Sequence, residues 1–128
     1  MAVRIAAPLL DLILADVAKT PAVERCGLLF GDSKRIHTAQ PAANVASDPA
    51  RFFEIDPVIL FAAMRAERRG GPRLIGHYHS HPGGSAEPSA RDLAALEPGK
   101  LWLIVASGTA RLWLAEAGAF RELKLDIA

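Results

Sequence analysis

The apolar residues of the chain follow a helical period in two long segments. After Pro8 they recur every three or four residues, which predicts a helix that ends near Lys19. A second helix is predicted after Asp56, where an N-cap residue precedes a proline and apolar residues continue to Gly70. A shorter helix is predicted at 89–96, behind a loop rich in glycine and proline.

Compact apolar runs bounded by turn residues predict strands in most of the remaining chain. They lie at 2–6, 24–32, 34–40, 73–81, 101–107, 110–116 and 120–127, with a short strand at 52–55 inside a segment of loop composition. Helices interspersed with hairpin-linked strands predict an α/β or α+β sandwich built on a mixed β-sheet.

Length and composition predict a single domain spanning residues 1–128. A chain of 128 residues, of which 51% are hydrophobic and 23% charged, can bury one core and shows no compositional break typical of a linker. The formal net charge of +1 gives little reason to expect binding to nucleic acid. The sequence leaves the oligomeric state open.

Neither a membrane segment nor a disulfide framework is expected. No apolar run approaches the ~18 residues that span a bilayer, and Asp11 and Asp16 interrupt the apolar stretch near the N-terminus. The single Cys26 excludes an intramolecular disulfide. We therefore expect a cytoplasmic protein with no membrane partner.

Three of the four histidines lie in one short stretch, GHYHSHPGGSAEPSARDL. Residues two apart on a strand point to the same face, so His77, His79 and His81 line one side of the sheet. Two imidazoles and a carboxylate can hold zinc with a fourth position left for water. Equal spacing allows zinc to be held either by His77 and His79 or by His79 and His81. Pro82 ends the strand directly after His81, so the second pair lies at the end of the strand, next to the following loop. This position favours His79 and His81 as the ligands.

Asp92 is the carboxylate that the following loop can bring to this pair. Ser89 and Asp92 also form the Ser-x-x-Asp pattern of a capping-box-like helix start, so spacing alone leaves them between a structural and a chemical role. The two roles are compatible, since residues three apart in a first helical turn share a face. By residue type alone, Glu24, Glu54 and Glu87 are all candidates for a general acid/base.

The stretch HSHPGGSAEPSARD resembles the signature of the JAMM metalloproteases, the MPN+ domains, in which H-S-H-P is followed by a loop and S-x-x-D. Seven residues separate His81 from Ser89, as in that signature. The segment ERCGLLFG is similar to the family's glutamate-bearing strand, and NVASDPARFFEIDP is similar to its loop before the second helix. The resemblance, to the compact prokaryotic type, extends from about Pro21 to Ser107.

This resemblance implies a fold and a metal. The fold is α/β, a mixed β-sheet sandwiched by helices in an α/β/α arrangement similar to that of cytidine deaminases. The cofactor is one Zn²⁺ per chain, and His77 lies outside the ligand set. The implied zinc ligands are His79, His81 and Asp92.

The resemblance also implies the catalytic groups. Glu24 becomes the general acid/base, ahead of Glu54 and Glu87, and Ser89 becomes a hydrogen-bond donor near the zinc-bound water and the substrate carbonyl. Zinc lowers the pKa of its bound water to about 7. A carboxylate can pass the water's proton to the departing amine, and a hydroxyl donor can stabilise the carbonyl oxygen as it gains charge.

Compact prokaryotic members of the family are associated with ubiquitin-like sulfur-carrier proteins that end in Gly-Gly. The resemblance therefore implies a zinc peptidase or isopeptidase that cleaves after such a tail. The alternative is a catalytically silent MPN-type scaffold, although such domains lack the zinc residues that are intact here. A nucleoside deaminase needs a Pro-Cys-x-x-Cys ligand set that one cysteine cannot supply. A cysteine–histidine hydrolase built on Cys26 is disfavoured, because a lone buried cysteine usually packs as a small hydrophobe.

Overall fold

Seven strands and three helices make up the regular structure of the computed structural model, which describes residues 1–128. The strands are β1 (Ala2–Ile5), β2 (Cys26–Gly31), β3 (Arg35–Ala42), β4 (Leu74–Ser80), β5 (Leu101–Ala106), β6 (Thr109–Glu116) and β7 (Ala119–Ile127). The helices are α1 (Ala7–Ala18), α2 (Pro57–Arg68) and α3 (Ala90–Ala94). None of the helices combines the length and apolar character needed to cross a membrane.

The strands form a closed barrel in the order β1-β3-β2-β4-β5-β6-β7. The barrel closes because β1 pairs in parallel with β7, from Ala2 opposite Lys124 to Ile5 opposite Ile127, while also pairing with β3. The prediction of an α/β/α sandwich, a mixed sheet between helices, is therefore wrong, since the protein is mostly β. Periodicity locates strands but does not show that the first and last strands meet.

The predicted strand at 52–55 is also absent. Only an isolated bridge between Asn44 and Ile55 forms there, within a loop that folds back on itself. The segment's loop composition, with Asp48 and Pro49 ahead of the aromatic residues, prevails over the short apolar run.

The main hydrophobic core lies inside the barrel. Alternate residues of the strands point inward, and α1 contributes Leu10 and Ile13 to the same core. Helix α2 packs on the barrel's outer surface, where Ala63 lies in a small apolar cluster with β2 and β4 residues. The buried core side chains are Val3, Ile5, Leu10, Ile13, Leu29, Ile36, Ile75, Tyr78, Leu101, Leu103, Val105, Leu112 and Leu123.

The antiparallel pairing of β2 with β4 sets which side of the barrel the histidines face. Cys26 lies opposite His79, and Gly27 lies opposite Tyr78, whose ring points to the interior core. A Cβ atom on Gly27 would stand 2.2 Å from the Tyr78 ring, so glycine is required for this close approach. Because side chains alternate along a strand, His77 and His79 point to the opposite, outer face.

A buried carboxylate joins α1 to both of these strands. Asp16 is only 4% exposed. It accepts a hydrogen bond of 2.6 Å from the Tyr78 hydroxyl and one of 2.9 Å from the Arg25 guanidinium. A buried charge is costly unless it is paired and hydrogen-bonded, and Asp16 meets both conditions. The contacts fix the segment before β2 against β4.

Asp16→Ala should lower the free energy of unfolding by about 2 to 4 kcal/mol, because it leaves Arg25 and the Tyr78 hydroxyl without their partner. The matched control is Asp126→Ala, which breaks an ion pair with Arg4 between side chains that are 45% and 67% exposed. Exposed pairs contribute about 0 to 1 kcal/mol. Urea denaturation of both variants measures the difference. Equal losses would show that the Asp16 contacts do not hold the fold together.

Candidate metal centre and active site

Three donor groups from two elements meet at one point on the barrel's outer face. His79 lies near the end of β4, His81 follows the strand directly, and Asp92 comes from α3. The Nε2 atoms of the two histidines are 3.0 Å apart. Oδ2 of Asp92 lies 3.3 Å from Nε2 of His79 and 3.0 Å from Nε2 of His81. All three atoms can therefore face a common centre.

The spacing of these atoms fits a tetrahedral metal. Ligand atoms about 2.0 to 2.1 Å from a tetrahedral centre lie about 3.3 Å from one another. The three separations of 3.0, 3.3 and 3.0 Å are close to that edge. Imidazole nitrogen and carboxylate oxygen are ligands that zinc prefers, so the residues present fit Zn²⁺. Their role as its ligands stays a prediction from the sequence.

The two imidazole rings are held by different contacts. The Nδ1 atom of His81 lies 2.8 Å from the backbone carbonyl of Ser85, an acceptor that requires the proton on Nδ1 and leaves the Nε2 lone pair free. The ring of His79 is fully buried and stacks on Phe53, with ring centroids 4.3 Å apart. Its Nδ1 atom is buried without a hydrogen-bond partner.

The surroundings of the three groups move their pKa values in different directions. Burial lowers the pKa of His79, because the charged imidazolium loses its hydration. Burial also acts to lower the pKa of His81, but its contacts with Asp92 and the Ser85 carbonyl outweigh burial and raise it. Burial acts to raise the pKa of Asp92, yet the hydrogen bonds from both histidines hold it well below its usual range.

Glu24 lies beside this group, and its role as the general acid/base stays a prediction. Its carboxylate oxygen and the ligand nitrogens of His79 and His81 all lie within 4.8 Å of one another, and the side chain is buried. Burial is the main cause that raises its pKa from 4.5 to about 7. The carboxyl group can therefore both accept and release a proton near neutral pH, as a general acid/base must. The other two candidates, Glu54 and Glu87, are exposed.

Ser89 has the structural role that its spacing allows. Its hydroxyl oxygen accepts from the N–H of Asp92 at 3.1 Å, and its own N–H donates to Oδ2 of Asp92 at 2.9 Å, which completes a capping box. The exposed hydroxyl keeps its proton available as a donor. The same contacts orient the Asp92 carboxylate toward the histidines.

His77 lies outside the donor group. Its ring packs edge-on against Trp102, with centroids 4.3 Å apart, and its Nε2 atom is buried without a hydrogen-bond partner. Burial lowers its pKa to about 3, so the imidazole is neutral at physiological pH. Its contacts are those of an aromatic packing residue behind the site.

One side of the site is covered by residues 44–55, here called the lip. Phe53 stacks on His79, and the guanidinium of Arg91 lies 3.6 Å above the Phe52 ring. An open groove of about 790 Å³ runs between the lip, the start of α2, α3 and Trp102. Asp92, one of the three donors, lies in the wall of this groove, together with His77.

Sequence reasoning missed three residues that shape the site: Asn44, Phe53 and Ser80. Phe53 contacts a histidine from a loop whose path is set by long-range hydrogen bonds, and no local pattern predicts such a contact. Ser80 stands between the two histidines on the opposite strand face, so its strand position was visible but its partner was not.

A barrel that carries two histidines at the end of β4, an aspartate on α3 and a nearby glutamate ahead of β2 is of the JAMM/MPN class. The chain belongs to the family described as prokaryotic homologs of the JAB domain, which matches residues 6–117.

Three curated relatives are similar to the chain. The desampylase of Haloferax volcanii is 36% identical over 116 residues, which cover 86% of this chain and 82% of that protein. The desampylase of Pyrococcus furiosus is 30% identical over 114 residues, covering 87% and 81%. A probable TtuB-protein conjugate cleaving protease of Thermus thermophilus is 37% identical over 65 residues, covering 51% and 44%.

Solved structures share the fold. A protein from Desulfitobacterium hafniense superposes with a TM-score of 0.84 at 25% identity, over 100% of this chain and 93% of that one. A structure described as a JAMM metalloprotease-like zinc site in the proteasome and signalosome superposes with a TM-score of 0.58 at 21% identity, over 98% of each chain. The second likeness shows the fold alone.

The raised pKa of Glu24 predicts how stability depends on pH in the metal-free protein. Between pH 4.5 and about 7 the folded state holds a proton on Glu24 that the unfolded state releases, so this group's contribution to stability falls as pH rises. Metal-free Glu24→Gln should therefore be more stable than metal-free wild type at pH 8, by about 1 to 3 kcal/mol. Denaturation from pH 4 to 8 should show the difference shrinking toward low pH; a constant difference would contradict the assignment.

Proposed function

We propose that this chain is a zinc-dependent peptidase or isopeptidase that hydrolyses the bond after the C-terminal Gly-Gly of a ubiquitin-like or sulfur-carrier protein. The observation that carries the proposal is the convergence of three donor atoms at 3.0 to 3.3 Å. A buried carboxylate stands within 4.8 Å of the two histidine donors. This set matches the needs of metal-assisted hydrolysis without any rearrangement of the chain.

His79, His81 and Asp92 would hold the zinc. When bound, zinc lowers the pKa of a coordinated water to about 7 and withdraws charge from a carbonyl oxygen. The Ser85 carbonyl keeps the proton of His81 on Nδ1, so that Nε2 is ready to donate its lone pair. Ser89 fixes the Asp92 carboxylate through the capping box.

Glu24 and Ser89 are the proposed catalytic residues. A carboxyl group with a pKa of about 7 can take a proton from the attacking water and deliver it to the departing amine, a role typically worth about 10²- to 10⁴-fold in rate. The exposed Ser89 hydroxyl can donate to the substrate carbonyl oxygen as that oxygen gains negative charge. One group therefore moves the proton, and the other stabilises the developing charge.

The groove and the relatives support a protein tail as the substrate. Two relatives are desampylases, and a third is a probable protease that cleaves TtuB–protein conjugates. The groove between the lip and α3 is open and has Asp92 in its wall, which makes it the surface on which we place an extended peptide. Next to the donor group it is lined by Phe53 and Trp102, and glycine has no side chain to collide with such rings.

The proposal also covers the bounds of the functional domain and the cellular location of the protein. We take residues 1–128 as one functional domain, because the strands that carry the site belong to a single closed barrel. A cytoplasmic location fits the single free cysteine, which is buried at Cys26. Fractionation of cells that express the tagged chain tests the location.

Metal analysis tests the ligand assignment. Wild type should hold one zinc per chain, and His79→Ala and Asp92→Ala should each lose most of it, because either change leaves two protein ligands for an ion that takes three or four. His77→Ala is the matched control, since it removes a neighbouring imidazole on the same strand face and should keep its zinc. Full zinc retention in both ligand variants would overturn the assignment.

The substrate prediction is tested with a sulfur-carrier protein extended by a few residues past Gly-Gly, and with an isopeptide conjugate of the same carrier. Wild type should cleave after the second glycine, and a matched Ala-Ala carrier should be cleaved at least about 10-fold more slowly, since added methyl groups must enter an aromatic-lined channel. Glu24→Gln should keep its zinc and lose at least about 10²-fold in kcat. Equal cleavage of both carriers by mass spectrometry, or full activity of Glu24→Gln, would count against the proposal.

A further inference from the structure

We propose that Ser80 and Asn44 are positioning residues that fix Glu24 beside the two histidines. The inference rests on the proposed function, because it assigns to these side chains the task of aligning its general acid/base. Neither side chain belongs to the donor group. Both act on the backbone of residues 24 and 25, which precede β2 and lie outside any strand.

Just before β2 begins, the Ser80 hydroxyl oxygen accepts a hydrogen bond that a backbone carbonyl would accept in a regular ladder. Cys26 lies opposite His79, so extending the register by one residue puts Arg25 opposite Ser80. The N–H of Ser80 donates to the Arg25 carbonyl at 3.0 Å, as in a regular ladder. The N–H of Arg25 instead donates to the Ser80 hydroxyl oxygen at 2.9 Å. A side chain between the two histidines thus holds the peptide that follows Glu24.

Asn44 holds the same segment from the opposite side. Its Nδ2 group donates to the Glu24 carbonyl at 2.8 Å and to the Phe52 carbonyl at 3.1 Å. Its Oδ1 atom accepts from the N–H of Ala46 and the N–H of Glu54, both at 3.0 Å. These four bonds use the full capacity of the amide and tie both arms of the lip to Glu24.

Every backbone polar group of residues 24 and 25 therefore has a partner distant in sequence. The Glu24 N–H donates to the Pro49 carbonyl at 2.7 Å, and Asn44 and Ser80 satisfy the other three groups. Because residues 24 and 25 lie outside any strand, these bonds fix the backbone position from which the Glu24 side chain extends. A buried carboxylate with a raised pKa does not hold itself in place, because desolvation favours its movement toward water. The hydrogen bonds made by Ser80 and Asn44 oppose that movement.

The site allows a conservative test at Ser80. Its side chain is 4% exposed and borders a cavity of about 300 Å³ lined also by Val17, Pro21 and Val105. Ser80→Thr keeps the hydroxyl and places its added methyl group beside this space. Ser80→Ala removes only the hydroxyl. For Asn44, Asn44→Asp is nearly isosteric and loses the two donors while keeping the acceptor oxygen.

The first readout is amide hydrogen exchange, which does not depend on activity. In zinc-loaded and metal-free protein, Ser80→Ala should speed exchange of the Arg25 N–H, because the hydroxyl that accepts it is gone, and Ser80→Thr should not. Asn44→Asp loses the donor to the Glu24 carbonyl, so the segment should loosen and exchange of the Glu24 N–H, which is bonded to the Pro49 carbonyl, should speed up; the Ala46 N–H keeps its acceptor oxygen and should stay protected. Unchanged exchange at Arg25 in Ser80→Ala would overturn the proposal, whether or not the chain proves to be a peptidase.

The second readout is kinetic, with the carrier substrate. Ser80→Ala should retain one zinc per chain and lose about 10- to 100-fold in kcat with KM nearly unchanged, the signature of a misplaced catalytic group. Ser80→Thr should restore kcat. Asn44→Asp should lower kcat and also raise KM, because it releases the lip as well. Zinc loss in Ser80→Ala would show instead that Ser80 shapes the histidine strand.

A double-mutant cycle separates positioning from general destabilisation. If Ser80 acts through Glu24, adding Ser80→Ala to Glu24→Gln should reduce kcat no further, since the group being aligned is already disabled. A full additional loss would overturn the proposal. If Glu24→Gln is itself as active as wild type, the proposed role of Glu24 fails, and the exchange data still decide whether Ser80 and Asn44 fix its backbone.

Discussion

The antiparallel register of β2 against β4 is the constraint on which the site depends. With Cys26 opposite His79, the same register carried two residues further brings Glu24 opposite His81. Residues facing each other across a strand pair share one face of the sheet, so the carboxylate and both imidazoles emerge on the outer surface of the barrel. A slip of one residue would turn the histidines into the apolar interior. The close contact of Gly27 with the Tyr78 ring disfavours such a slip.

The same strands present a different polar group to each face. On the interior side, Asp16 ties Tyr78 and Arg25 to α1, and all its oxygens have partners within the protein. On the outer side, His79, His81 and Asp92 bring acceptor atoms together with few donors among them. The first arrangement stabilises the fold, whereas the second has its charges arranged for a cation.

The sequence predicted more of the site than of the architecture. The alternation of histidines along one strand places His79 and His81 on one face from local geometry alone, and Ser89 and Asp92 belong to a single helical turn. The closure of the barrel depends instead on contacts between residues 2–5 and 124–127, which no local period reveals. The lip was missed for a similar reason, since Asn44 gathers bonds from residues 24, 46, 52 and 54. Local geometry could be predicted where neighbours in sequence are neighbours in space, and the chemical roles of the site residues stay predictions.

The three ligand groups shift one another's pKa values before any metal binds. Burial acts to raise the pKa of Asp92, but the hydrogen bonds with both histidines hold it well below its usual range. Burial lowers the pKa of His79, whereas the contacts of His81 with Asp92 and the Ser85 carbonyl outweigh burial and raise the pKa of that imidazole. A metal needs the lone pairs of both imidazoles and an ionised carboxylate, so protons compete with it for the same atoms and its affinity falls as pH falls. Strand β4 presents the two histidines and the Ser89 capping box orients Asp92, so the competing groups stand at contact distance in the folded chain.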